Sequence, residues 1–251
     1  MTDDVTRTPR SSDSPPPLPL EVRGLRKKYR RGLVLDGVSF DVRPGEAVAL
    51  IGPNGAGKST LIGCITGDRL PDAGTVRLCG ADPFADTAAA AACLGYVPEQ
   101  PFLYPELSVA ELLRFVSAAR RLDDADSAAE TARFLALLGL AGAEATLCRE
   151  LSQGMGRKTA IAAALLHRPK VIVLDEALNG LDRTSAERVV AELDARRAEG
   201  AAVLLSSHDL DFLARWCTRG ILLSPGARWQ ALGSGDWERW KVAPSLTFEV
   251  R

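Results

Sequence analysis

Residues Gly52 to Thr60 read Gly-Pro-Asn-Gly-Ala-Gly-Lys-Ser-Thr and follow directly on the apolar run Val48 Ala49 Leu50 Ile51. A glycine, four free positions and Gly-Lys-Ser form the P-loop pattern, which needs a buried strand before it and a helix behind it. Its glycines let the backbone turn tightly and aim consecutive N–H groups at a bound anion, and the helix adds the positive end of its dipole. Lys58 is thereby expected to reach the β- and γ-phosphates of a nucleotide and the Ser59 hydroxyl to sit on Mg²⁺. Gly52, Pro53, Asn54, Gly55, Ala56, Gly57 and Thr60 complete the cradle. A glycine-rich turn between a strand and a helix, with no ligand to hold, needs no lysine followed by a hydroxyl.

At 251 residues the chain can bury a full core, and one large α/β unit is favoured over two small domains. Its 31 basic and 32 acidic residues balance, leaving no electrostatic footprint for nucleic acid or an anionic membrane. The five cysteines, at 64, 79, 93, 148 and 217, form no Cys-x-x-Cys pair and read as small buried apolar residues in a reducing compartment. No stretch approaches the roughly 18 uncharged apolar residues of a membrane span, and the N-terminus lacks the order of a signal peptide. A cytosolic protein is expected. Residues 1–19, with Ser11, Ser12, Ser14 and Pro15 Pro16 Pro17, are expected to be a disordered or extended lead-in.

Folded sequence is expected from Leu20. Short apolar segments such as Val38 to Val42 and Val48 to Ile51, separated by Pro44 Gly45 and Asp72 Ala73 Gly74, predict strands around the P-loop helix, with another strand over 94–97. Ser108 with Glu111, and Ser127 with Glu130, predict capped helices in an insert over about 106–155. An Ala/Leu-rich helix after Ser152 ends by Pro169, and the run Val171 Ile172 Val173 Leu174 reads as a strand buried on both faces. Thr184 with Glu187 predicts a further helix closing at Gly200, followed by strands over 201–206 and 221–223; residues 226–251 form a C-terminal extension. The βα alternation predicts an α/β, three-layer P-loop fold with a parallel core sheet.

Asp175 and Glu176 follow the buried strand directly, at the carboxyl edge where α/β proteins place ligands. The aspartate can hold Mg²⁺ and the glutamate can orient or deprotonate an attacking water. His208, just past the strand over 203–206, ends on the same edge and can hydrogen-bond a γ-phosphate or the water. His167, at a helix end beside Pro169, is expected to do no more than interact with the helix dipole.

The order of parts is similar to that of ATP-binding cassette (ABC) proteins. Gly52 to Thr60, Leu151 Ser152 Gln153 Gly154 Met155, Val171 to Glu176, Asn179 Gly180 Leu181 Asp182 and Ser207 His208 Asp209 resemble the family's Walker A, signature, Walker B, D-loop and H-loop over about residues 20–225. The resemblance implies ATP and Mg²⁺, an antiparallel β subdomain and a helical subdomain beside the core sheet, and two cassettes bound head to tail. Ser152, Gln153 and Gly154 would then serve the partner's nucleotide, Asp182 would cross the dimer, and Tyr29 would stack on adenine. Tyr96 Val97 Pro98 Glu99 Gln100 matches the Q-loop, and either Glu99 or Gln100 would lie beside the metal. Ala177 and Arg183 stand where the family has prolines, Gln153 where it has glycine and Gly156 where it has a long polar residue.

The implied function is that of an ATPase subunit driving a separately encoded membrane transporter, an exporter resembling the ABC-2 branch, from the cytoplasmic face. A soluble cassette acting on ribosomes or nucleic acid, or a switch that does not hydrolyse, are the competing classes. Pro101 Phe102 Leu103 Tyr104 Pro105 Glu106 Leu107 either plugs the joint between core and insert or forms an exposed patch for the membrane subunit.

Overall fold

The computed structural model describes residues 16–242. Most of the expected lead-in, residues 1–15, lies outside the described residues, as does 243–251. Strands β1 (Leu20–Tyr29) and β2 (Gly32–Val42) pair antiparallel. β3 (Ala47–Ile51) delivers the chain to the P-loop and α1 (Lys58–Thr66) carries it away, after which β4 (Ala73–Leu78) returns to β1. A small antiparallel sheet of order β2-β1-β4 results. Then come α2 (Thr87–Cys93), β5 (Leu94–Val97) and the helices α3 (Val109–Ala119), α4 (Asp124–Leu137) and α5 (Gln153–Leu165). The remaining elements are β6 (Val171–Asp175), α6 (Arg183–Ala198), β7 (Ala202–Ser206), α7 (Leu210–Trp216), β8 (Arg219–Ser224), β9 (Arg228–Leu232) and α8 (Ser234–Val242).

The main sheet has the order β5-β6-β7-β3-β8-β9, parallel as far as β8, with β9 antiparallel at the edge. Its strands are apolar on both faces. Ala47, Ala49, Ile51, Ile172, Leu174, Val203 and Leu205 pack against α5, α6 and α7, while Val48, Leu50, Val171, Val173 and Leu204 pack against α1 and the antiparallel sheet. A parallel sheet covered on both sides is what such uninterrupted apolar strands require. Among the described residues no helix is long and apolar enough to cross a membrane.

Residues 228–242 are tied into this core. Trp237 and Trp240 are fully buried and stacked at 4.8 Å, and Trp237 Nε1 donates to Cys217 O at 3.1 Å. Gly220 makes the space, since a Cβ there would lie 2.6 Å from the Trp237 ring.

Two expected helix starts are corrected. The Ser108–Glu111 capping box is present in full, but Ser127 and Glu130 lie inside α4, whose cap is Asp123 accepting from Ala125 N at 2.9 Å. The acids Asp124 and Asp126 also favour the earlier start, facing the positive end of the dipole. The cap of α6 likewise lies two residues before Thr184. Asp182, the stronger cap type, accepts from Ser185 N at 2.9 Å, and Glu187 pairs with Arg183 instead. The alanine-rich α2, capped by Asp86, had no expected counterpart.

His167 also differs from expectation. Its Nε2 lies 3.0 Å from Leu94 O and therefore carries a proton, while Nδ1 is buried without a partner. Burial, with the positive charge of Arg120, pushes its pKa from 6.5 down to about 4, so the ring is neutral and cannot act as a cation on the dipole. The unfolded chain binds this proton near its ordinary value and the folded chain only near 4. Stability is therefore full above the ordinary value and falls by roughly 3 kcal/mol as pH drops through that window. His167→Gln keeps a donor for Leu94 and should flatten this acid limb in melting curves taken from pH 4 to 7. An unchanged limb would assign it to other groups.

Candidate active site

β7 lies between β3 and β6, and all three run parallel. Their carboxyl ends therefore open on one edge. There the P-loop from β3, Asp175–Glu176 from β6 and His208 after β7 border one cleft of about 500 Å³. Tyr29 and Val34 form its wall from the antiparallel sheet, Pro53, Asn54, Gly55, Gly57, Lys58, Ser59 and Thr60 its floor, and Glu99, Asp175, Glu176 and His208 the opposite side. Gly52 borders a smaller adjoining recess with Ser207 and His208, and Ala56 is buried in the core beneath. Gly57, at φ +107, caps α1 where a Cβ would come within 3.0 Å of Val34. That contact brings the β2 wall against the loop.

Lys58 Nζ donates to Gly52 O at 2.7 Å and to Pro53 O at 3.4 Å, closing the loop on itself. The acidic side is more tightly built. Ser206 Oγ donates to Asp175 Oδ1 at 2.6 Å and accepts from Glu176 N at 3.0 Å. Glu176 Oε2 accepts from Asn179 Nδ2 at 2.9 Å and His208 N at 3.1 Å. Its other oxygen, Oε1, is buried and makes no hydrogen bond, with the His208 ring nitrogen Nε2 3.5 Å away. A buried carboxylate oxygen without a donor is costly unless a ligand or water supplies one. Glu176 itself sits at φ +52.

Three carboxylates, of Glu99, Asp175 and Glu176, face the single ammonium of Lys58. Such a cleft would repel a triphosphate unless a cation accompanies it. The donors are all hard oxygens, of the kind Mg²⁺ selects. Among the described residues no cluster of three or more His, Cys, Asp and Glu side chains forms a protein-only metal cage.

Other expected site residues lie elsewhere. Gln100, Ser152 and Gln153 border a neighbouring groove rather than the cleft, and Gly154 and Asp182 border neither. Ser152 caps α5, accepting from Met155 N at 3.2 Å. Asp182 is held by Lys158 at 2.9 Å and by Ser185, which keep its carboxyl far below the usual range. Ser206 and Arg157 were not singled out by sequence reasoning, and Asn179 was named only as the start of the D-loop match, with no role at Glu176. Arg157 donates to Glu176 O at 2.7 Å and to Glu99 O at 2.5 Å. A serine ending an apolar strand and a lone arginine in an alanine-rich helix were the only signals available for two of them.

The sequence pattern of the family described as ABC transporter matches residues 35–179, more than half of the chain. The chain belongs to the ABC transporter family. It is 34% identical over 213 residues to Nod factor export ATP-binding protein I of Paraburkholderia xenovorans (strain LB400), covering 85% of this chain and 70% of that protein. It is 33% identical over 213 residues to SkfA peptide export ATP-binding protein SkfE of Bacillus subtilis (strain 168), covering 85% and 88%. A solved ATP binding subunit of an ABC transporter superimposes with a TM-score of 0.84 at 32% identity, covering 90% of this chain and 95% of that one. CbiO1 from Clostridium perfringens, at 24% identity and a TM-score of 0.73, shares the fold. ATP-binding subunits of this family bind ATP and hydrolyse it to power transport, and this ABC protein is an ATPase of that kind.

Lys58→Ala removes the only side-chain cation on the cleft floor. Titration calorimetry should show the Kd for ATP rise about 100-fold, the worth of roughly 3 kcal/mol of charge-assisted hydrogen bonding. Unchanged affinity would move the phosphate site elsewhere.

Proposed function

We propose that this chain is the ATPase subunit of an exporter, hydrolysing Mg·ATP in the cleft on behalf of a separate integral membrane subunit. One observation carries the chemistry: Lys58 and Ser59, Asp175 and Glu176, and His208 converge on one cleft, with Glu176 Oε1 buried and free of hydrogen bonds. Ser59 and Asp175 would hold Mg²⁺, with Glu99 beside them, and the ion when bound neutralises phosphate charge. Glu99 is chosen over Gln100 because it borders the cleft, whereas Gln100 borders the groove next to the signature. Lys58 binds and orients the β- and γ-phosphates. Tyr29, 40% exposed on the wall, offers a ring face for adenine.

Glu176 acts as the general base. Asn179 and the His208 backbone hold Oε2, which leaves Oε1 to accept a proton from the attacking water. The His208 ring, beside that oxygen, hydrogen-bonds the water or the γ-phosphate. Ser152, Gln153 and Gly154 stand apart from their own cleft, which supports their serving a second cassette's nucleotide in a head-to-tail dimer, homomeric or heteromeric, with Asp182 near the junction. Export as the direction is supported by the names of the relatives, and a position on the cytoplasmic face follows from the membrane partner. Balanced charge gives no support to a nucleic-acid partner.

The membrane subunit would dock beside the Q-loop. Phe102 is 80% exposed and packs edge-on against Tyr104, which packs edge-on against Phe115 on α3, at centroid distances of 5.8 and 5.3 Å. Leu103, by contrast, packs against the core. The segment thus divides between the two expected roles, and Phe115 joins the patch without having been expected. Exposed aromatics in contact are the kind of anchor that interfaces use.

Glu176→Gln should lower kcat for ATP by about 10² to 10⁴ while leaving ATP affinity nearly intact. Near-normal turnover would remove Glu176 as the base. Phe102→Ala with Phe115→Ala should leave the melting temperature within about 3 °C, as exposed substitutions do. The pair should abolish co-purification with the membrane subunit. Intact assembly would place the docking surface elsewhere.

A further inference from the structure

We infer that Arg157 is a positioning residue for hydrolysis, a clamp through which α5 fixes Glu176 and the Q-loop at once. This rests on Glu176 being the base. Arg157 is 7% exposed and lies on α5, whose N-terminus is capped by Ser152. Its Nη1 donates to Glu176 O at 2.7 Å and its Nη2 to Glu99 O at 2.5 Å. Among the described residues no carboxylate pairs with it, so a buried cation is satisfied by two backbone carbonyls from separate segments. Burying a guanidinium is costly, and a merely structural joint could be made more cheaply with apolar groups.

Glu176 explains what the clamp is for. At φ +52 a glutamate occupies a left-handed conformation that persists only where surrounding contacts over-determine it. Its N–H is held by Ser206, through Oγ at 3.0 Å and O at 3.2 Å, and its side chain by Asn179 and His208. The remaining polar group, the carbonyl, accepts from Asn179 N at 3.1 Å within its own turn and from Arg157 at 2.7 Å, and Arg157 is what ties it to α5. Releasing it frees the peptide to relax and swings the carboxylate, and displacements near 1 Å at such a group cost about 10²-fold in rate. Because the same guanidinium holds Glu99 O, a shift of α5 moves Glu99 and Glu176 together. The end of α5 bearing Ser152 is thus linked mechanically to the base of its own chain.

The test compares the purified full chain with Arg157→Met, Arg157→Lys and each change combined with Glu176→Gln, measuring steady-state hydrolysis of Mg·ATP, ATP affinity and melting temperature. Arg157→Met should lower kcat at least 30-fold with KM and ATP affinity changed less than about 3-fold, and Arg157→Lys should recover part of the loss. In the Glu176→Gln background Arg157→Met should lower kcat by no more than about 3-fold further, since a misplaced base matters only while the base is present. Normal kcat in Arg157→Met, a loss fully additive with Glu176→Gln, or a loss matched by weaker ATP binding would each overturn the inference. If Arg157→Met does not fold, Arg157→Gln is judged by the same numbers. Wild-type turnover in Glu176→Gln alone would instead overturn the assignment of the base, and the clamp with it.

Discussion

The site depends on the register of three parallel strands. Leu50 of β3 is level with Ser206 of β7, and Ser206 is level with Asp175 of β6. The P-loop, the paired acids and the His208 segment therefore leave the sheet at one height. Side chains alternate along a strand, so a slip of one residue in either pairing would turn Asp175 toward the opposite face and part it from Ser206. The apolar sequences forbid the slip: each face of these strands is already filled, one by the helices α5 to α7 and the other by α1 and the antiparallel sheet. Packing in the core thus positions chemistry at its rim.

The helices of the insert are joined to this sheet in two ways. Far from the cleft, Arg133 of α4 donates from both Nη atoms to Glu192 of α6, at 2.7 and 2.8 Å, and Arg196 Nε reaches the same carboxylate at 2.7 Å. Burial would raise the Glu192 pKa, but the Arg133 hydrogen bonds and both positive charges outweigh it and lower it. Glu130 of α4 adds Arg168 at 2.6 Å. These joints run from side chain to side chain, whereas the buried Arg157 on the cleft side holds two backbone carbonyls through short bonds. The first joint fastens α4 to α6; the second transmits the position of α5 to the acids.

What could be read in the sequence was what is chemically local. The P-loop, Asp175–Glu176 after an apolar strand, and His208 after another are each recognisable from a few adjacent residues, and the strand order then gathers them. The starts of α4 and α6 were misread because Ser/Thr-x-x-Glu patterns coincide with helix interiors, while Asp123 and Asp182 cap without a Glu or Gln three positions on. Ser206 and Arg157 stand 30 and 19 residues from Glu176 in sequence, and only the fold brings their atoms within 3 Å. Glu99 and Gln100 are adjacent, so no pattern could separate them. The loop geometry sends one to the cleft and the other to the next groove.

The backbone at Glu176 resolves a geometric conflict. Neighbouring residues of an extended strand point to opposite faces, yet Asp175 and Glu176 both border the cleft. Asp175 keeps the strand's geometry and pairs level with Ser206. Glu176 departs from it at φ +52, and that turn brings its carboxylate round to the side of its neighbour. A glycine would take the conformation freely but would carry no carboxylate. A glutamate takes it at a cost of about 1–2 kcal/mol. Hydrogen bonds to both its peptide groups and to Oε2 offset that cost. The Ser206, Arg157 and Asn179 contacts are therefore the condition for placing two adjacent acids on one wall, and Oε1, the one polar atom of the residue they leave without a hydrogen bond, is the atom the chemistry uses.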